Sequence, residues 1–264
     1  MAFAFINANT AKSKIENFIL LILITYTRRE TIMTQPRRTT YYKHNGLEIS
    51  SGNGKLPDLI FNMNPATGCI GDRLGLCDLG EHGSGRCYAL CAERRYSAVL
   101  AYRRRQEIYW ESKNYKEIVE DFSAILTNKR TRNKATGKLE PLYKSVEFLR
   151  ISESGEFKDQ AAVNKLDAVA IELKARFGLK IFCYTTRSDL EFKHVKFAVK
   201  GSGHDRGNSG RCDVRSPEQV EQGRVGNKYH EAGKVATICP GSCDSCQLCK
   251  ILPKKPINII FPLH

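Results

Sequence analysis

The sequence predicts an α/β protein built on a mainly parallel β-sheet, with a cysteine-rich extension at its C-terminus. Short apolar runs typical of buried strands alternate with longer amphipathic segments, as at 146–151, 159–178 and 179–184. Such alternation favours parallel pairing with right-handed crossovers. The cysteines add a second observation, because eight of the ten fall in two short stretches, at 69–91 and 239–249.

Composition limits the function classes. The chain has 264 residues, 41% of them hydrophobic, which is enough for a sizeable core. It is too long to need a disulfide scaffold, so clustered thiols indicate a metal ion or cluster and a reducing, cytoplasmic-type compartment. The net charge of +14 attracts phosphate-rich partners such as nucleic acid, although basic solvated helices alone would explain it equally well.

The N-terminal part is expected to lie outside the fold. Residues 1–32 are interpreted as an extension, with Met33 as a possible natural start. The apolar run at 18–26 is too short to span a bilayer, so no integral membrane span is expected. A membrane-associating segment and a signal peptide remain alternatives for this run. Residues 33–58 are polar and broken by Gly and Pro, which indicates an arm.

The α/β domain is predicted over 59–233, followed by a cysteine-rich segment over 234–264 that binds a metal or cluster. Asp159 is expected to cap a helix that Gly178 ends. A glycine-rich loop at 201–210 precedes the C-terminal segment. Strands are predicted at 59–63, 146–151, 179–184, 195–199 and 235–238, and helices at 92–112, 115–126, 159–178 and from Ser188.

The firmest motif is Cys239-x3-Cys243-x2-Cys246-x2-Cys249. Thiolates at these gaps can surround one iron–sulfur cluster, and bacterial ferredoxins use the same set of gaps in another order. A tetrahedral zinc site also takes four cysteines, so zinc remains the alternative. Whether the group acts in electron transfer or only stabilises the C-terminus is left open.

The second group is Cys69, Cys77, Cys87 and Cys91, with gaps of seven, nine and three residues that match no general spacing rule. Its context is more informative, because a predicted strand precedes it and a predicted helix follows it. In parallel α/β architectures, ligands bind at the loops that follow the carboxyl ends of the strands.

Two stretches resemble known families. Asn64-Pro65-x-x-Gly68-Cys69 with Cys87-Tyr88-Ala89 resembles the cluster loop of radical S-adenosylmethionine enzymes, and Ser154-Gly155-Glu156 resembles their methionine-binding turn. From about 59 to 250 the chain is similar to the phage "gene product 88" family, which shares the R-I-x-x-S-G-E turn and the Y-T-x-R strand end. The resemblance implies a partial βα barrel, a 4Fe-4S cluster, S-adenosylmethionine, and a phage or plasmid setting.

The sequence departs from the pattern of the radical enzymes, and these departures leave two questions open: whether the cysteine site is closed, and whether the protein is an enzyme. The gaps between Cys69, Cys77 and Cys87 are wider than that pattern has, and Ser154 replaces a glycine. Cys91 could close the site as a fourth ligand, which would favour a structural role. The first hypothesis is therefore an enzyme with an unknown substrate, unassigned catalytic residues and a reductant protein as partner. The alternative is a non-enzymatic zinc- or cluster-stabilised protein that binds nucleic acid through its basic surface.

Several further residues are candidates for a functional role. Glu153 is either catalytic or an acidic helix start. Arg187 is a candidate for pairing with a carboxylate or phosphate. The loop at 200–205 could hold an anion, or a metal through His204, although a plain turn is commoner. Cys183 is expected in the core, and Cys212 in a polar loop. A helix carries arginines expected either to be solvated or to touch nucleic acid: Arg94, Arg95, Arg103, Arg104 and Arg105.

Overall fold

The computed structural model describes residues 39–52, 56–77, 87–133, 135–241, 243 and 246–262. Within them lies one eleven-stranded sheet, in the order β1-β2-β3-β6-β7-β8-β9-β13-β12-β11-β10, and a separate two-stranded sheet of β4 and β5. The strands are β1 Tyr41–His44, β2 Leu47–Ser50, β3 Leu59–Phe61, β4 Arg130–Arg132, β5 Leu139–Pro141, β6 Phe148–Ile151, β7 Lys180–Thr185, β8 Ala198–Ser202, β9 Gly210–Arg215, β10 Arg224–Val225, β11 Lys228–Glu231, β12 Lys234–Ile238 and β13 Ile259–Pro262. The helices are α1 Ile70–Arg73, α2 Tyr88–Arg95, α3 Ser97–Ser112, α4 Tyr115–Asn128, α5 Gln160–Phe177 and α6 Pro217–Gly223.

Parallel pairing runs through the middle of the large sheet, from β3 through β6, β7, β8, β9 and β13 to β12. Antiparallel strands flank it on both sides. The register places Phe61 beside Ile151 and Ile151 beside Cys183, so the segments after β3, β6 and β7 leave the sheet at one edge. The α/β class with a mainly parallel sheet is thus confirmed. Closure into a barrel is not observed in the described part of the chain, where β1 and β10 are the outer strands.

Local sequence explains the boundaries of α4 and α5, two of the helices that cover the sheet. Asn114 caps α4 with its side chain and forms a reciprocal capping box with Glu117. Asp159 accepts a hydrogen bond from the backbone N–H of Ala162 at the start of α5. Gly178 ends α5 in the left-handed conformation, with φ +69°, which a glycine adopts at little cost. The boundaries predicted at Asp159 and Gly178 are confirmed, and the helix predicted over 115–126 ends at Asn128.

The two faces of the sheet have different coverings. The first face packs on α3, α4 and α5 through the main hydrophobic core, which includes Leu149, Ile151 and Cys183. Because side chains alternate along a strand, Phe148, Arg150 and Phe182 belong to the second face. There, Cys243 and Ile251 of the C-terminal segment pack against the smaller cluster of Leu56, Ile60, Phe148, Phe182 and Ala198.

The structure differs from the sequence expectations in several elements. The range 33–58, expected as an arm, contains β1 and β2, and Leu47 and Ile49 in β2 are completely buried. The segment 234–264 contributes β12 and β13 to the same sheet as the domain 59–233. The helix predicted over 92–112 is two helices, because Tyr96 adopts an extended conformation. The segment after Ser188 forms turns, and the strand predicted at 195–199 lies at Ala198–Ser202.

Two further expectations can be placed. Residues 1–32 and the apolar run at 18–26 lie outside the described residues. In the parts of the chain that the structure describes, no helix has both the length and the apolar character needed to cross a membrane.

Candidate cofactor-binding site

The loop that follows β3 is hydrogen-bonded to the turn that follows β6. Asn64 donates from Nδ2 to the backbone oxygen of Glu156 at 2.7 Å and accepts from its backbone N–H at 2.9 Å. Asn62 accepts from the backbone N–H of Ser154 at 3.0 Å. Gly155 makes this contact possible, because its φ is +74° and a Cβ there would lie 1.5 Å from Oδ1 of Asn64. The Ser154-Gly155-Glu156 turn is therefore fixed against the segment that carries Cys69.

A buried carboxylate in α2 holds the same loop. Glu93 accepts from the backbone N–H groups of Ala66 and Thr67 at 2.7 and 2.8 Å. Ser154 donates its hydroxyl to Glu93 at 3.1 Å, and Arg103 from α3 pairs with it at 2.8 Å. Burial opposes ionisation of Glu93, but these hydrogen bonds outweigh burial and leave its pKa below the usual value. Glu93 thus joins the cysteine loop, the turn after β6 and two helices.

Sequence reasoning missed Glu93 and misplaced Arg103. A glutamate and an arginine in helices are usually solvated, yet both side chains are buried here. The signal in the sequence was the spacing: Glu93 lies four residues after Ala89 and therefore on the same helical face. In the structure both positions are buried. Arg105 also pairs, with Glu48 at 2.8 Å. The arginine group is therefore not one continuous solvated surface.

Three of the four N-terminal cysteines are brought together. The chain folds back after α1, so that the backbone N–H of Cys77 donates to the carbonyl of Gly71, and a Cβ on Gly71 would lie 3.8 Å from the Cys69 sulfur. Burial, followed by the proximity of Cys87 and Cys69, raises the pKa of the Cys77 thiol to about 11. Burial and, to a smaller extent, Glu156 and Cys87 raise the pKa of Cys69. These thiols resist ionisation because they are crowded and partly desolvated.

Cys91 and Glu153 are more exposed than the buried core of the site and have no hydrogen bond that joins them to the three grouped thiols of Cys69, Cys77 and Cys87 among the described side-chain contacts. Cys91 is exposed one turn into α2, and its backbone N–H donates to the carbonyl of Cys87. The backbone carbonyl of Glu153 accepts from the hydroxyl of Tyr88 at 2.5 Å. The Glu153 side chain is half-buried.

Glu156 carries the buried carboxylate nearest the three thiols. It accepts from Thr185 Oγ1 at 2.6 Å, from the backbone N–H of Thr186 at 2.7 Å, and from Thr186 Oγ1 at 3.0 Å. A Cβ on Gly71 would lie 3.1 Å from Cγ of Glu156, so this side chain adjoins the cysteine loop. Burial raises its pKa despite these donors. These three donors occupy three of about four acceptor positions of a carboxylate, so among the described residues one position on Oε2 has no donor.

The C-terminal cysteines form a second group on the second face of the sheet. Cys243 interacts electrostatically with Cys239 and Cys246, and Cys249 interacts with the same two thiols. Burial raises the pKa of Cys249 to about 11, although the Tyr184 hydroxyl forms a hydrogen bond with its thiol. Cys212, expected in a polar loop, lies instead on β9, is buried, and interacts with Cys249.

Two buried lysines adjoin this second group. Lys250 pairs with Asp58 at 2.7 Å and donates to the carbonyl of Cys243 at 3.2 Å. Lys200 donates to the carbonyls of Ser209 and Ile257, and interacts electrostatically with Cys249 and Cys212. Two lysine side chains thus lie beside the C-terminal thiols, although Lys250 is paired with Asp58 and burial lowers the pKa of Lys200.

The remaining candidates have structural partners. Arg187 forms a bidentate pair with Asp189 at 2.7 Å and donates to the carbonyls of Phe157 and Lys158. A ring nitrogen of His204, Nε2, lies 2.9 Å from the carbonyl oxygen of Thr185. Cys183 is completely buried in the core, as predicted. All ten cysteines are described and are free. Among the described residues, no three or more His, Cys, Asp or Glu side chains are arranged to hold a single metal ion.

The comparisons with known proteins add no assignment to this geometry. No protein-family model, curated protein or solved structure matches the chain.

Proposed function

We propose that the chain is an iron–sulfur protein of the radical S-adenosylmethionine type, with a partial βα barrel and an unknown substrate. The observation that carries the proposal is the gathering of Cys69, Cys77 and Cys87 beside the Ser154-Gly155-Glu156 turn, at the carboxyl ends of β3 and β6. Two sequence stretches with a family resemblance are far apart in the chain, and their proximity in the fold supports the resemblance. The phage or plasmid setting remains part of this proposal.

The donor chemistry of the three thiols fits an iron–sulfur cluster. Crowded thiols repel one another when ionised, and bound iron supplies the positive charge that removes this penalty. An iron–sulfur cluster is larger than a single metal ion, so its thiolate ligands lie farther apart. Three thiols that are not arranged to hold one metal ion can therefore still bind a cluster. Three protein ligands leave one iron free to bind a cofactor. The exposed side chain of Cys91 favours this open site over a closed one.

Glu156 suits the amino group of S-adenosylmethionine. Its carboxylate forms no ion pair within the described residues, although Arg187 acts on it electrostatically, and its Cγ adjoins Gly71 of the cysteine loop. An ammonium group there would offset the cost of the buried negative charge. Ser154 and Gly155 contribute indirectly, because Ser154 bonds to Glu93 and Gly155 admits Asn64. When bound, the cluster and S-adenosylmethionine would supply one-electron reductive chemistry, with the electron coming from a reductant protein.

The C-terminal group is proposed as an auxiliary site. Four thiols, at Cys239, Cys243, Cys246 and Cys249, can coordinate every iron of a cluster that faces them or a tetrahedral zinc ion. Lys200 would offset part of the negative charge of the coordinated thiolates, because it interacts electrostatically with Cys249 and has no carboxylate partner among the described residues. This site then serves electron transfer or stability, and a reducing, cytoplasmic-type compartment would keep its thiols free.

The test is metal analysis of anaerobically purified protein. We expect iron and acid-labile sulfide in similar amounts, with Cys69→Ala and Cys239→Ala each removing one of two clusters. Cys91→Ala is the matched control and is expected to leave the iron content unchanged. With dithionite and S-adenosylmethionine, the unmodified protein is expected to release 5′-deoxyadenosine.

Two results would contradict the proposal. Zinc without sulfide would point to a zinc-stabilised protein, and salt-sensitive binding of DNA or RNA by that zinc form would favour the non-enzymatic alternative. Loss of iron in Cys91→Ala would identify Cys91 as a fourth ligand, which closes the first site.

A further inference from the structure

A groove lined by lysines lies at the amino edge of the parallel strands, the edge opposite to the Cys69 loop. It encloses about 260 Å³ near the end of α5, beside the first residues of β7 and β8 and the stretch that follows Cys249. Buried apolar residues, among them Ile181 and Ala198, lie at its base. Among the described residues that line it none is acidic, and four are lysines: Lys174, Lys180, Lys196 and Lys250.

Two of these lysines form no ion pair. Lys174 and Lys196 are exposed, and their side chains have no hydrogen-bond or ion-pair partner within the described residues. Their ammonium groups are therefore available to a partner molecule. The other two lysines are paired with carboxylates: Lys180 with Glu147 at 2.6 Å, and Lys250 with Asp58 at 2.7 Å.

The positive charge continues along the chain beyond the groove. Lys254 and Lys255 closely follow Leu252, are exposed, and likewise have no side-chain partner in the part of the chain that the structure describes. Asp167 accepts a hydrogen bond from the backbone N–H of Lys196 at 2.6 Å, so a carboxylate is near, but it forms no ion pair with that lysine. Lysines thus outnumber carboxylates around the groove, and such an excess attracts an acidic partner from a distance.

The mixture of apolar and lysine side chains favours a protein as this partner. Leu252, which lines the groove, is 44% exposed, so an apolar contact is available among the lysines. An apolar centre with a polar rim is the usual arrangement of a protein–protein interface. Surfaces that bind nucleic acid use arginines for paired contacts to phosphate and aromatic rings for stacking on bases. Neither kind of side chain lines the groove among the described residues.

The groove adjoins the C-terminal cysteine group. Lys250 and Ile251 directly follow Cys249 in the chain. Lys250 donates from Nζ to the carbonyl of Cys243 at 3.2 Å, and Ile251 and Cys243 pack against the same apolar cluster on the second face of the sheet. A protein bound in the groove would therefore lie next to the segment that holds the proposed auxiliary site.

We propose that the lysine-lined groove binds an acidic protein that carries one electron, the reductant of the proposed function. The bound protein, in its reduced form, gives up one electron, and the C-terminal cluster takes it up; no covalent bond forms or breaks. The electron transfer rests on the proposed function, whereas the docking of an acidic protein rests on the shape and charge of the groove. The cluster in question is the one proposed at Cys239, Cys243, Cys246 and Cys249.

The experiment is calorimetric titration of the full chain, purified anaerobically, with a plant-type ferredoxin, an acidic one-electron carrier. We expect saturable binding that weakens as the salt concentration rises, because the attraction is electrostatic. Lys174→Glu combined with Lys196→Glu is expected to weaken this binding about tenfold or more, because two attractive charges become repulsive.

The matched control is Lys116→Glu combined with Lys138→Glu. It changes the net charge by the same amount, but Lys116 lies near the start of α4 and Lys138 directly before β5, and neither lines the groove. We expect this control to bind ferredoxin within about twofold of the unmodified chain. All four lysines are exposed and have no side-chain partner within the described residues, so both double variants are expected to fold normally.

A second measurement follows the electron. In Cys69→Ala protein only the C-terminal group remains to bind iron, so the visible absorbance of that cluster reports its reduction. Reduced ferredoxin below saturation is expected to reduce this cluster about tenfold more slowly in the groove double variant than in the control, because fewer encounters lead to docking. Dithionite needs no docking surface and is expected to reduce the cluster in both.

The outcomes separate this proposal from the proposed function. Equal ferredoxin binding by the two double variants, or no saturable binding by the unmodified chain, overturns the docking site whatever the iron content. If the groove variant instead loses binding to duplex DNA or to phosphatidylserine vesicles, while ferredoxin does not bind, the groove serves nucleic acid or a membrane surface and the proposal is wrong. Groove-dependent binding without reduction of the cluster refutes the electron transfer alone. Absence of iron and sulfide contradicts the proposed function while leaving the titration valid.

Discussion

At the scale of single residues, Gly155 is the position where the site tolerates least change. Gly155→Ala would place a Cβ 1.5 Å from Oδ1 of Asn64, at a φ of +74°. We expect the substitution to break both Asn64–Glu156 hydrogen bonds and to lower the free energy of unfolding by about 3 kcal/mol or more. Denaturant titration measures this.

Gly137 provides the matched control for this prediction. Its φ is +69°, but a Cβ there would meet nothing within 4 Å. Gly137→Ala therefore has only the cost of the left-handed conformation, about 1 kcal/mol. Equal losses in the two variants would show that steric exclusion by Asn64 is not the reason for glycine at 155.

The carboxylates of Glu156 and Glu93 are expected to affect stability with opposite dependence on pH. Burial raises the pKa of Glu156 above 4.5, so its stabilising contribution is present below pH 4.5 and is lost as the pH rises through the raised pKa. In acid, Glu156→Gln should have the same free energy of unfolding as the unmodified iron-free protein. At neutral pH, its free energy of unfolding should be higher than that of the unmodified protein. Denaturant titrations of the iron-free protein across pH 4 to 8, roughly the range in which shifted carboxyl groups titrate, measure this.

Glu93 gives the opposite sign. Its pKa is lowered, because hydrogen bonds and Arg103 outweigh burial, so its contribution is present above pH 4.5 and is lost as the pH falls through the lowered pKa. Glu93→Gln should cost about 3 kcal/mol at neutral pH, as expected for a broken buried ion pair, and less in acid. The same direction of change in both variants would contradict the environments described for these carboxylates.

The sequence predicts those site residues whose role is visible in a short stretch of the chain. Cysteine spacing and the Ser154-Gly155-Glu156 stretch are visible in the chain itself. Glu93, Arg103 and Asn64 were not identified as site residues, because their importance arises from contacts across the fold: Asn64 is 92 positions from Glu156, and Glu93 is 61 from Ser154. An isolated polar residue in a helix or loop carries no sign of a distant partner.

At the scale of elements, a substitution in β2 tests whether the range 33–58, which the sequence predicts to be an arm, is part of the fold. Ile49 is completely buried in the main core. Ile49→Ala should lower the free energy of unfolding by about 2–5 kcal/mol, through lost burial and a residual cavity. Ile108→Ala is the control, because Ile108 is 67% exposed on α3 and its truncation should cost less than about 0.5 kcal/mol. An unchanged unfolding midpoint for Ile49→Ala would support the arm.

Elements with strong local signals were predicted, and those that depend on partners were not. α4 and α5 combine helical periodicity with capping residues, and β7 is a continuous apolar run. β9 alternates Arg, Cys, Asp and Val without a clear apolar face, and it becomes a strand because β8 and β13 pair with it on either side. Pairing between strands distant in sequence supplies the information that local patterns lack.

At the scale of the whole molecule, a buried ion pair links the cysteine-bearing part of the C-terminal segment to the second face of the sheet, in addition to the pairing of β12 and β13. Lys250 and Asp58 are both buried, and the Lys250 ammonium lies 5.0 Å from the centroid of the Phe148 ring. Burial raises the pKa of Asp58 even though Lys250 opposes the shift, which shows how far the pair is from solvent. The same segment carries Cys243, Cys246 and Cys249. The cysteine group and the second face of the sheet are therefore expected to form or fail together.

Lys250→Met tests this dependence. Leaving Asp58 buried without a partner should cost about 3–5 kcal/mol, and Asp58→Asn in the same chain should recover part of it. Lys180→Met is the control, because Lys180 pairs with Glu147 at 2.6 Å and lies 5.3 Å from the same Phe148 ring but is half-exposed, so its loss should cost less than about 1 kcal/mol. If the two lysine variants unfold at the same denaturant concentration, the ion pair does not hold the segment. If Lys250→Met lowers stability, it should also lower the iron retained by Cys69→Ala protein, in which only the C-terminal group remains to bind it.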